Sequence, residues 1–242
     1  MKRVSLISAL ASAIILSSCM GTAPVQRPAM PLYNGPVSAD ALASRIAFSS
    51  IPGLRAEIQA TIWQGGERTG PLKGALLMRP SGEMRVVLYN TFGSTVLDIV
   101  QAGGRLEAYM PAKDSMYVGE APSIMPPEGS EMVLASGEDG HYMYAMLGGR
   151  LVREYAFDPA SALNTSATVI SGGRPVMEAR FTEHFPGHGG TLPRRAVILY
   201  DTVFRLELTI HQPEAGPVPL SLFPLGRSAS RVYDLSSRVS AE

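Results

Sequence analysis

From residue 54 to residue 62 apolar and polar positions alternate without a break. Leu54, Ala56, Ile58, Ala60 and Ile62 face one way; Arg55, Glu57, Gln59 and Thr61 face the other. A period of two is that of a β-strand with one wet face. Gly65-Gly66 then marks a turn. Comparable runs predict strands over 72–78, 84–90, 95–101, 106–110 and 115–118, with Gly93, Gly103-Gly104 and Lys113-Asp114 between them. Later strands are predicted over 151–157, 167–170, 176–183, 195–200, 203–211 and 230–235. Two segments break the rhythm. Ser38 is an N-cap for a helix over 39–48, with Leu42, Ala43 and Ile46 on its apolar side and Pro52-Gly53 as its stop. Between 123 and 140, Pro126-Pro127 leads into a run read as a short helix capped by Ser130. Many strands at spacings of roughly 8–12 residues predict a mainly β chain, as a single antiparallel sheet, a sandwich or a barrel. A sheet of this size should curl. With few helices to cover it, an apolar concave face leaves a cavity suited to an apolar ligand.

The N-terminal residues follow a different logic. Lys2 and Arg3 precede an apolar run over 4–16, and small residues lead into Cys19, the sole cysteine. This is the layout of a secretory signal. Ending on a cysteine, it resembles the lipobox of bacterial lipoproteins. That resemblance implies a signal peptide over 1–18, a diacylglyceryl thioether on Cys19, cleavage before it and acylation of the new N-terminus. Two or more chains give stable anchoring, because each buried CH₂ contributes about 0.8 kcal/mol. Residues 19–36, with Pro24, Pro28, Pro31 and Pro36, read as the lipidated cysteine and a linker. As a flexible coil the linker reaches roughly 20–25 Å. The remainder, 37–242, reads as one domain. Lys plus Arg and Asp plus Glu number 21 each, so no electrostatic footprint for nucleic acid is expected. A single cysteine allows no internal disulfide, and stability must come from a core.

Catalytic signals are missing. No Gly-x-Ser-x-Gly elbow or phosphate-binding glycine loop is found. His184 and His188 have the spacing of a helical metal pair, but Pro186, Gly187 and Gly189-Gly190 put them in a loop. Glu138-Asp139 reads as a solvated turn. No catalytic residue, metal or cofactor is expected, and the chain reads as a non-enzyme. Met125, Met132, Met143 and Met146 either line an adaptable apolar pocket or simply fill the core.

One stretch carries a recognisable pattern. An arginine-bearing strand, Met84-Arg85-Val86-Val87-Leu88-Tyr89, runs into Asn90-Thr91-Phe92-Gly93-Ser94-Thr95 and then alternates through Val96-Leu97-Asp98-Ile99. This resembles the LolA/LolB-like superfamily of lipoprotein carriers. Residues 74–79 and 106–118 fit the flanking family strands, and Leu192-Pro193 with 196–200 and 204–210 fits the C-terminal pair. Residues 123–190 do not match. The family's middle section is more helical and holds a tryptophan without counterpart here, since the sole tryptophan is Trp63.

The resemblance implies an unclosed β-barrel with a small helical lid and a cavity for acyl chains of lipoproteins or lipids. Its lining candidates are Ile58, Ile62, Leu76, Leu88, Leu97, Leu206 and Leu208. Phe92 takes the position of the family's protruding apolar residue, which places cargo in the membrane; the other reading folds it back as core. Arg85 is a lid or cavity candidate, holding a segment through backbone carbonyls. The other reading puts it on the wet face, where Arg85, Val87 and Tyr89 lie opposite Val86, Leu88 and Asn90. Expected partners are acyl chains, a periplasmic carrier protein, and a membrane reached through the lipid anchor. Met20 after Cys19, by analogy with enteric bacteria, favours the outer membrane facing the periplasm. The competing reading is a structural or interaction module of an envelope complex, without ligand.

Overall fold

The alternation that opens the strands continues across the whole sheet. The computed structural model describes residues 35, 37–187, 190–200 and 204–234; Cys19, the 19–34 part of the linker, and His188 lie outside them. A short helix, α1 (Ala39–Ala43), precedes β1 (Leu54–Gln64), β2 (Glu67–Met78), β3 (Met84–Tyr89), β4 (Thr95–Ala102), β5 (Arg105–Met110) and β6 (Ser115–Glu120). There follow β7 (Glu131–Gly137), β8 (Gly140–Leu147), β9 (Arg150–Phe157), β10 (Asn164–Ser171), β11 (Arg174–Gly187), β12 (Gly190–Tyr200), β13 (Phe204–Ala215) and β14 (Arg231–Asp234). Among the described residues these strands form one curled sheet in the order β14-β6-β5-β4-β3-β2-β1-β13-β12-β11-β10-β9-β8-β7. Neighbours are antiparallel except β14 and β6. The edges β14 and β7 do not pair, so the barrel is unclosed.

Cross-strand partners show how one face stays apolar. Tyr155, Ala167, Ala179, Ile198, Leu206 and Ile62 form a row through six strands. Ala56, Leu76, Val86, Ile99 and Ala108 form another. Both rows belong to a single core. Gly74 is a close-approach position: a Cβ there would meet the Val87 carbonyl at 2.3 Å and the Leu88 side chain at 2.7 Å. Its absence lets Leu88 become fully buried.

Two sequence expectations need correction. The helix over 39–48 stops at Ala43, although Ser38 caps it as expected, its Oγ accepting from the Ala41 N–H at 3.2 Å. Beyond it the Ser44 hydroxyl donates to the Ala41 carbonyl and Phe48 turns left-handed at φ 68°. The chain thereby drives Ile46, Ala47 and Ile51 into the core as coil. The second correction is the helix capped by Ser130, which is strand β7. Met, Leu, Ala and Glu favour helix, but Met132 and Leu134 alternate inward against Glu131, Val133 and Ala135, and β8 supplies the ladder. Strand β8 itself was absent from the expectation.

Candidate functional site

The inner face collects every lining candidate. Ile58, Leu76, Leu88, Leu97, Leu206 and Leu208 are buried in one core, and Ile62 packs against it half-buried. The face is not an open cavity. Leu42 of α1 and the following Ile46, Ala47 and Ile51 fill its middle, and Phe48 meets the Phe181 ring edge-on at 6.2 Å. The segment is tied to the β9–β10 loop. Arg45 donates from Nε to the Ala162 carbonyl at 2.8 Å and from Nη2 to that of Ser161 at 3.0 Å. Buried Asn164 accepts from the Ala47 N–H at 3.2 Å and donates to the carbonyls of Ala156 and Ser166.

A second cover is the connector 121–130 between β6 and β7. Its Ile124 and Met125 pack against the core, as do Met132 and Met143. Two side chains of β9 hold it: Arg153 Nε donates to the Ser123 carbonyl and the Tyr155 hydroxyl to the Ile124 carbonyl, each at 2.7 Å. Burial pushes the Arg153 guanidinium down and the Tyr155 phenol up from their ordinary values. Both shifts follow from removing charge from water.

Arg85 lies on the opposite, outer face, paired in register with Leu77 and Val100. It binds Asp98 through both Nε (3.0 Å) and Nη2 (2.7 Å), and its Nη1 donates to the Leu222 carbonyl at 3.0 Å. The Asp98 carboxylate raises the guanidinium above its ordinary value. A backbone carbonyl is indeed its target, but on the C-terminal strap (216–230) rather than on the helical lid. That strap leaves β13 at the middle of the sheet and crosses the outer face to reach β14 at the edge. Val218 and Phe223 bury against Val100 and Ala102. Arg227 adds a third bond to Asp98 at 2.6 Å, and the Gly226 N–H donates to Glu107.

Phe92 sits at the tip of the β3–β4 hairpin and is 91 % exposed. The tip is well held. Asn90 Oδ1 accepts from the N–H groups of Phe92 (2.9 Å) and Ser94 (3.0 Å), the Asx-turn use of asparagine. Gly93 takes φ 79°, which only glycine adopts freely. The ring is therefore presented by an ordered turn and does not fold back over the sheet end.

Other candidates stay apart from this arrangement. His184 Nε2 donates to the Asn164 carbonyl at 3.0 Å, and burial pushes its imidazole down. Among the described residues no group of His, Cys, Asp and Glu could hold a metal. Trp63 lies between Arg68 and Arg205, 5.7 and 5.0 Å from its ring centre. With Met177, Leu199 and Phe204 it borders a depression of about 630 Å³ at the rim of the sheet. The sequence reading missed Arg153 and Tyr155. The available signal was an arginine at the i−2 position from a tyrosine within an otherwise apolar-faced strand.

No protein-family model matches the chain, and no curated protein matches its sequence. Solved structures do match. A LolA superfamily protein from Nitrosomonas europaea superposes with TM-score 0.54 at 13 % identity, covering 78 % of this chain and 99 % of its own. A DUF1329 family protein from Desulfovibrio piger superposes with TM-score 0.52 at 10 % identity, covering 77 % and 98 %. With a curled unclosed sheet and a short helical cover already in place, the chain shares the fold of these two proteins, the first of them a LolA superfamily protein.

Proposed function

We propose that this protein is a membrane-tethered carrier or acceptor that binds acyl chains of lipoproteins or lipids, without catalysis. In this reading Cys19 anchors it in the outer membrane facing the periplasm, and cargo arrives from a periplasmic carrier protein. Phe92 carries the proposal. A phenylalanine left in water forgoes about 1.5–3 kcal/mol of burial, and here an ordered hairpin holds it out. A bilayer or an acyl chain would supply that burial. The fold of a LolA superfamily protein supports the reading, as does the continuous apolar inner face that carries Ile58, Leu76, Leu88, Leu97, Leu206 and Leu208. Because own side chains fill that face, chains enter only when a cover moves.

Phe92→Glu tests the tip. It should leave the urea midpoint unchanged and lower delivery of an acylated cargo to vesicles at least tenfold. An unchanged delivery rate removes Phe92 from the mechanism. The filled interior favours a second reading, a ligand-free structural or interaction module of an envelope complex. Lipid extraction of the protein purified without detergent separates the two: acyl chains in near-equal amount to protein support the carrier, and their absence supports the module.

A further inference from the structure

On the inner face Arg153 stands opposite Ala145 of β8 and Val169 of β10, both buried. It shares that face with Tyr155 and Phe157, two places and four places along the strand. Arg153 is half-buried there, and a cation on such a surface ordinarily finds a carboxylate, because an unpaired charge partly withdrawn from water is costly. Arg85 has Asp98, Arg105 has Glu107 and Arg227 has Asp98, all on the outer face. Arg153 has only neutral acceptors: the Ser123 carbonyl on Nε and, at 2.6 Å, the Val152 carbonyl on Nη1. Among the described residues no carboxylate pairs with it, and its Nη2 makes no hydrogen bond. The Tyr155 hydroxyl, one strand-repeat away, donates to the next carbonyl of the same connector.

We infer that Arg153 and Tyr155 form the recognition site for an ionised lipid head group, a carboxylate or phosphate whose chains lie along the inner face. This rests on the acyl-binding reading above and narrows it to anionic amphiphiles. The head group's oxygens take the donors now held by Ser123 and Ile124, so head-group capture and displacement of the 121–130 connector are one event. The exchange is favourable because an ionised oxygen neutralises the Arg153 charge, as a carbonyl does not, and makes the Tyr155 hydrogen bond charge-assisted, while the released carbonyls reach water. The thioether and acyl ends of a lipoprotein anchor carry no ionised oxygen and gain nothing from this site.

The test compares chains that differ only in charge. Binding of oleate and oleyl alcohol, and of dioleoylphosphatidate and dioleoylglycerol, is measured on the detergent-free protein by native mass spectrometry with competition. The wild type should prefer the ionised member of at least one pair by about tenfold or more; which pair shows it identifies carboxylate or phosphate. Arg153→Met should abolish the preference while retaining the uncharged member, and Arg153→Lys should keep part of it. Tyr155→Phe, which preserves the packing, should reduce it about threefold, so the inference stays testable if Arg153→Met fails to fold. Equal binding of charged and uncharged members by the wild type overturns the inference and leaves acyl binding intact. Binding of none of the four overturns both.

Discussion

Two straps cross this sheet, one on each face, and they are fastened by different chemistry. The outer strap, 216–230, is held by charges neutralised within the protein: Arg85 and Arg227 share Asp98, Glu107 accepts the Gly226 N–H, and Phe223 is buried beneath. The inner connector, 121–130, is held by Arg153 and Tyr155 through two carbonyls. Releasing the outer strap takes Arg227 from Asp98 and the Gly226 N–H from Glu107, leaving each buried carboxylate with a single arginine. Releasing the inner connector frees two donors that another acceptor can satisfy. On the proposed function the outer strap is a permanent closure and the inner connector an exchangeable cover.

The sharpest way to break this contrast is Asp98→Ala. Asp98 is 3 % exposed and serves two arginines. Its removal leaves two half-buried cations without a counter-ion, and loss of one partner of a buried pair costs about 3–5 kcal/mol. Urea unfolding should show that loss as a shift in midpoint with little change in slope. A loss below about 1 kcal/mol would mean that the outer strap is as loosely held as the connector.

Asn164→Ala addresses the fixed end of the inner cover. Asn164 is 2 % exposed; it accepts from Ala47 and donates to Ala156 and Ser166. The substitution orphans these groups, at about 2 kcal/mol in urea unfolding. This effect should fall between that of Asp98 and that of the connector's own latch. The segment 44–51 would then rank as a fixed part of the core, leaving 121–130 as the movable part.

Much of this architecture is written in local pattern. The alternation over 54–62 and 204–210 fixes both strands and their inward faces, because a period of two admits one register when one face is buried. Gly65-Gly66, Gly93 and Gly103-Gly104 mark hairpins that the structure contains. The shared inward face of Ile58 and Ile62, and of Leu206 and Leu208, could be read for the same reason. What could not be read depends on distant chain. Arg85 looks like a wet-face arginine until a segment 137 residues away supplies its acceptor. Residues 131–135 look helical until β8 offers a ladder, since the propensities of Glu, Met, Leu and Ala outweigh a short alternation when pairing is unknown. Arg153 gave only a faint local sign, its place two residues before Tyr155 on an apolar-faced strand; its meaning comes from the carboxylate missing near it, which is visible only in three dimensions. Phe92 is an intermediate case: its turn chemistry, Asn90 and Gly93 about an aromatic, is local, but the choice between a protruding ring and one folded back as core was decided only by the structure.

The smallest expected effect is the most discriminating. Tyr155→Phe removes one hydroxyl and leaves the ring that fills the core. The Ile124 carbonyl loses its donor, and a neutral hydrogen bond of this kind contributes about 1 kcal/mol. If the inner connector opens as a local unit, that loss belongs to its own opening equilibrium. Amide exchange over 121–130 should then quicken about fivefold, and exchange over 216–230 should not change. If the two straps open only together with global unfolding, both regions should quicken equally. The wild-type rates already distinguish the cases: the connector should exchange faster than the outer strap, because no internal carboxylate fastens it and its two side-chain donors can be satisfied by water as soon as it lifts.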